Sequence, residues 1–152
     1  MQNPYVIMTR GFRNVREGDA ATGYQIKLRI PYYRGTFLSL IHTLTLSVDS
    51  KPVPADRIKI GVQGKMYTLD EMVEADEVRW DFRDPATVVV ARQGGLEPGL
   101  HEVEVGIVIR KSYFPAEDPE HLYDFLEPGG DGEYKPYIEA PTVIRKKMTL
   151  VQ

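Results

Sequence analysis

The chain has 152 residues, of which 42% are apolar and 27% charged, with a net charge of −3. Those values suit a soluble globular domain and argue against a strongly basic nucleic-acid binder. The absence of cysteine excludes disulfide frameworks, thiolate zinc sites and cysteine nucleophiles.

The first residues, Met1, Gln2, Asn3 and Pro4, are polar and read as no signal peptide. No apolar run approaches the roughly 20 residues that cross a bilayer, so the expectation is a cytoplasmic protein that does not bind membranes. Strand periodicity then dominates. Residues 24–30 alternate apolar and polar, as do Leu44, Leu46 and Val48 with Thr45, Ser47 and Asp49. Ile58, Ile60 and Val62 repeat the pattern, and Gln63-Gly64 is a two-residue turn into residues 65–69, because Gly accepts the positive φ of a tight hairpin. Thr68-Leu69-Asp70-Glu71 matches a capping box, which predicts one short helix ending by Ala75 and plugging one end of the fold.

Val78, Trp80 and Phe82 form a further inward row, and residues 87–91, rich in β-branched side chains, read as buried on both faces. Gly94-Gly95 and Pro98-Gly99 are turn pairs leading into the Val103, Val105, Ile107, Ile109 face. Residues 143–151 make the last strand. The expected fold is all-β: one antiparallel β-sandwich domain over residues 1–152, with eight or nine strands, one short helix and a long loop. That loop, residues 115–141, holds five of the eleven prolines and the Gly129-Gly130-Asp131-Gly132 tract. Between Ala116 and Ala140, eight acids face one lysine, a net −7 that leaves +4 on the rest of the chain. Loops of this length are functional or disordered. The seven large apolar side chains from Leu122 to Ile138 argue for an excursion that packs on its own domain or on a partner.

Candidate chemistry is sparse. His42, His101 and His121 stand alone, in no metal-binding spacing. Asp81 and Asp84 flank Phe82 and Arg83, while Glu102 and Glu104 lie about 6.6 Å apart on one strand, which fits a solvated sheet face better than a glycosidase pair. There is no GxSxG and no phosphate loop. Three segments instead combine aromatic and arginine side chains, the types that dominate binding hot spots: Tyr32, Tyr33 and Arg34; Phe12 and Arg13; and Tyr113 with Phe114. Each either folds under a sheet end or presents a contact surface.

At these residues the sequence resembles the small (β) subunit of bacterial C-glycoside deglycosidases. The resemblance lies in Gly11-Phe12-Arg13-Asn14-Val15, Gly23-Tyr24-Gln25 and, most distinctively, Arg29-Ile30-Pro31-Tyr32-Tyr33-Arg34-Gly35. It continues through Tyr67-Thr68-Leu69-Asp70-Glu71-Met72, Trp80, Gly94-Gly95-Leu96 and Pro98-Gly99-Leu100-His101, and in Lys147-Met148-Thr149-Leu150-Val151. The acidic segment is longer than such proteins lead one to expect.

The resemblance implies a heteromer. A TIM-barrel α subunit would carry a divalent metal, manganese by expectation, and would cleave the C–C bond between a sugar already oxidised at C3 and an aromatic aglycone. This chain would then be the non-catalytic partner, with no cofactor, metal or catalytic residue of its own. Tyr32 and Tyr33 would stack on a flat aglycone such as a flavonoid, near the 3-oxo C-glycoside, and Arg34 would pair with an α-subunit carboxylate or a phenolate. Two other classes remain open at this point: a free-standing carbohydrate-binding module, and an independent enzyme.

Overall fold

The computed structural model describes residues 5–31, 35–110 and 142–151. Tyr32, Tyr33, Arg34, Tyr113, Phe114, His121 and the acidic loop lie outside the described residues. The chain is all-β and antiparallel. A five-stranded sheet runs in the order β1 (Ile7–Glu17), β2 (Ala20–Leu28), β9 (Ala86–Ala91), β6 (Ile58–Val62), β7 (Lys65–Thr68). A four-stranded sheet runs β11 (Thr142–Leu150), β10 (Gly99–Ile109), β4 (Ile41–Val48), β5 (Lys51–Pro52). A two-residue pair, β3 (Thr36–Phe37) with β8 (Arg79–Trp80), completes the set.

The alternating rows become the inner faces. Ile26, Leu28, Ile60 and Val88 from the first sheet share one apolar cluster with Leu46, Val103, Val105 and Ile107 from the second. Burying such side chains stabilises by about 1.5–3 kcal/mol each, which is what holds the two sheets face to face. At the margin between the sheets, the Lys146 amine leaves β11 and donates to the Ile7 carbonyl of β1 at 2.9 Å.

The local signals hold where turn chemistry alone decides. Gln63 and Gly64 both adopt positive φ (55° and 76°), and Val62 pairs with Lys65 across them. Thr68 caps α1 (Leu69–Met72): its hydroxyl accepts from the Glu71 amide at 3.1 Å, and the Glu71 carboxylate accepts from the Thr68 amide at 2.8 Å. Met72 and Ala75 then join the core.

Two expectations fail. β8 has only two residues, so Trp80 is fully buried but Phe82 is 45% exposed. The Asp84 amide donates to the Asp81 carbonyl and turns the chain before an inward row can continue. In β9, Ala86, Val88 and Val90 face the core, whereas Thr87 and Val89 are half-buried.

Candidate interaction surface

Gly35, the residue that follows Tyr32, Tyr33 and Arg34 in sequence, is tightly placed. This glycine has φ +72°, and a Cβ there would lie 2.5 Å from the Trp80 carbonyl oxygen and 2.8 Å from the Asp81 Cα. Both are backbone atoms of a pinned element, so only glycine lets the chain pass. Thr36, directly after it, is buried and pairs with Trp80, and Phe37 pairs with Arg79. The Arg79 guanidinium sits 5.8 Å over the Phe37 ring and forms an ion pair with Asp81. The Gln63 amide donates to the Arg79 carbonyl at 3.1 Å, tying the β6–β7 hairpin to the same place. The result is a surface of Phe37, Arg79, Asp81 and Phe82 next to the Gly35 anchor, with both phenylalanine rings exposed.

A second flank reaches the same region. The 3-10 turn Leu38–Leu40 follows Phe37, and the Leu40 carbonyl accepts from the Arg110 amide at 2.7 Å. Gly35 and Leu40 are five residues apart, at most about 18 Å of chain. Arg110 is the last described residue before Tyr113 and Phe114. Gly35 and Arg110, 75 positions apart in sequence, are thereby linked through one short turn.

Phe12 and Arg13 lie elsewhere. Phe12, expected among the contact residues, is 7% exposed and belongs to the core. The cause is a bulge: Met8 pairs with Lys27 and Arg13 with Gln25, so β1 takes five steps where β2 takes two. Gly11 enters positive φ, and the buried Gln25 amide donates to its carbonyl at 3.0 Å. The extra length turns the Phe12 ring inward, edge-on to His101 with centroids 6.2 Å apart. Arg13 remains exposed.

His101 is structural. Its Nδ1 is 2.6 Å from an Asp49 carboxylate oxygen and its Nε2 is 2.6 Å from the Glu97 carbonyl. Burial works against its charge, but these two acceptors outweigh burial and raise its pKa. Glu104 meets Arg145 at 2.9 Å on the outer sheet face, and Glu102 pairs in register with Lys147. Among the described residues, no three histidines, aspartates or glutamates converge as metal ligands, and no helix is long and apolar enough to cross a membrane. An open groove of about 680 Å³ is lined by Ala20, Ala21, Ala91, Arg57 and Arg92 among others.

Sequence reasoning missed Asn14. Its amide donates to the Leu96 carbonyl and accepts from the Leu96 amide, both at 2.9 Å, so one side chain acts as a strand partner for the Gly94-Gly95-Leu96 loop. A Cβ on Gly95 would lie 2.4 Å from Asn14 Oδ1. The nearness of Asn14 to an apolar residue 82 positions away has no trace in local pattern. The Phe37–Arg79 stack was missed too, although an arginine beside the Trp80 strand was a usable signal.

Fold and surface together define a small all-β protein in which Phe37, Arg79 and Phe82 are exposed close in sequence or pairing to Gly35 and Trp80. Residues 2–113 match the family described as C-glycoside deglycosidase beta subunit, and the chain belongs to that family. It is 40% identical over 111 residues to a C-glycoside deglycosidase beta subunit of Eubacterium cellulosolvens, covering 72% of this chain and 76% of the relative. It is 34% identical over 97 residues to a 3'-dehydrocarminate deglycosidase beta subunit of a Microbacterium species, covering 62% of this chain and 70% of that one. A C-glycoside deglycosidase beta subunit of Arthrobacter globiformis is 26% identical over 92 residues, 60% of this chain and 70% of the relative. The family match ends at Tyr113, ahead of the acidic segment and of β11, which the sequence resemblance had included.

Proposed function

We propose that this chain is the non-catalytic subunit of a cytoplasmic, heteromeric C-glycoside deglycosidase, and that it shapes the active site of a TIM-barrel partner. In this reading the partner provides the divalent metal, by expectation manganese, and the proton acceptor. The substrate is a C-glycoside whose sugar carries a ketone at C3, and the bond broken joins that sugar to an aromatic aglycone. The observation that carries the reading is the Gly35 anchor. Gly35, the residue directly after Arg34 in sequence, packs against the Trp80 and Asp81 backbone next to Phe37 and Arg79, where aromatic area and a guanidinium are available together. Tyr32, Tyr33 and Arg34 would extend that surface onto the partner and toward the aglycone, with Tyr113 and Phe114 as its second side.

The test is reconstitution. The chain and a candidate TIM-barrel partner are purified separately, mixed, and assayed for complex formation and release of aglycone from a 3-oxo C-glycoside. Tyr33→Ala and Arg34→Ala should each weaken assembly or turnover about tenfold or more. Unchanged assembly and turnover in both variants would remove the assignment. Tight glycoside binding by the isolated chain would favour a free-standing carbohydrate-binding module instead.

A further inference from the structure

Arg110 has one guanidinium nitrogen without a partner among the described residues. β10 and β4 lose register just before it: Val108 pairs with Thr43, but Ile109 pairs with Ile41, which leaves His42 as the extra residue of a bulge. Bulges re-aim side chains at the ends of ladders. The Arg110 amide is fixed on the Leu40 carbonyl, so the root of the side chain is rigid. Its Nε is buried and has no hydrogen-bond partner among the described residues. Buried polar nitrogens nearly always have an acceptor, and a buried guanidinium nitrogen without one is costly in the isolated chain. His42 lies close enough to feel the charge. Burial first, and Arg110 second, lower its pKa.

We propose that Arg110 receives a carboxylate from the partner subunit and is the charged anchor of the assembly. This rests on the subunit reading above and names the chemistry of its contact. A guanidinium is a planar fork of donors that matches a carboxylate in two-point geometry, and arginine is enriched among residues that dominate interfaces. The location fits: through Leu40, Arg110 is one short turn from the Gly35, Phe37 and Arg79 surface. An aglycone phenolate offers the same anionic oxygen, but a partner carboxylate must act before substrate arrives.

The test measures assembly of the purified chain with its catalytic partner, by titration without substrate. Arg110→Met keeps most of the side-chain volume and removes the donors and charge. The expected result is affinity weakened about 30-fold or more, with thermal stability of the isolated variant equal to or above wild type. Arg145→Met, on the exposed outer face, should leave affinity unchanged. Wild-type affinity for Arg110→Met alongside weakened Tyr33→Ala would overturn the anchor and keep the interface. Wild-type affinity for both variants would sink both. A lower melting temperature for isolated Arg110→Met, with assembly intact, would assign Arg110 to the fold alone. Intact assembly with a raised KM for a phenolic substrate would assign the charge to the aglycone.

Discussion

Asp49 and His101 lock a hairpin turn to the start of a strand from the other side of the β4–β10 pair. The Asp49 carboxylate takes the His101 ring at 2.6 Å with one oxygen and the Glu102 amide at 2.9 Å with the other. The Asp49 amide returns a hydrogen bond to the Glu102 carbonyl at 2.8 Å. Because the other His101 nitrogen faces a carbonyl, both ring nitrogens face acceptors, and only the doubly protonated ring satisfies both.

A pH dependence follows from that contact. The His101 pKa is raised above 6.5 in the fold, so its contribution is complete below pH 6.5 and is lost as pH rises through the folded value. The Asp49 pKa is lowered from 3.8, by the His101 hydrogen bond first and the Glu102 amide second, so its contribution is present above pH 3.8 and lost as pH falls through the folded value. Both operate between pH 3.8 and 6.5. The pair is partly exposed, so the effect is small: melting near pH 8.5 should fall roughly 2–4 °C below that near pH 5.5. Asp49→Asn keeps the positive φ of this turn within easy reach and should flatten the alkaline fall. An unchanged alkaline slope in differential scanning calorimetry would detach it from this pair.

Asn14→Ala should destabilise the fold by about 1–3 kcal/mol, because the Leu96 amide and carbonyl both lose their partner at a buried residue. Asn14→Asp should also destabilise, since a carboxylate oxygen would then oppose the Leu96 carbonyl. Urea denaturation gives the energies. Hydrogen exchange at the Leu96 amide, faster in both variants, locates the loss.

At Gly35 the expected cost has two parts. Gly35→Ala forces an L side chain into φ +72° and drives its Cβ into the Trp80 and Asp81 backbone, for a loss of about 2 kcal/mol or more. Gly18→Ala is the control. Its φ is +63° with nothing within 4 Å of the added Cβ, so conformational strain alone, about 1–2 kcal/mol, should appear. Equal losses at the two sites in chemical denaturation would contradict the anchoring of Gly35.

Phe12 and Arg13 should separate cleanly in the same assay. Phe12→Ala removes a core ring and should cost about 3–5 kcal/mol, whereas Arg13→Ala, exposed on the neighbouring position, should stay within about 0.5 kcal/mol. A mild Phe12→Ala variant would mean that the bulge relaxes and lets the ring leave the core.

Strand periodicity made the inner faces legible. Leu44, Leu46 and Val48, or Val103, Val105 and Ile107, alternate in sequence and are buried in the structure for the same reason: successive strand side chains point to opposite faces. The Gln63-Gly64 turn and the Thr68 capping box were readable because their bonds close within four residues. The Asp49-Ser50 turn was not, since non-glycine residues at φ 51° and 67° give no strong local signal. Nor was the bulge that buries Phe12, because the count of steps on β1 has meaning only against β2.

The chain by itself determined its class and its kin: alternation set the strands, turn residues set the hairpins, and short runs such as residues 29–35 pointed to the family that matches residues 2–113. Only the tertiary structure decided which aromatics face solvent, that Asn14 closes on Leu96, and that Arg110 ends one short turn from Gly35. Those outcomes depend on sheet register and on contacts between residues tens of positions apart, and neither is encoded in any local window of sequence.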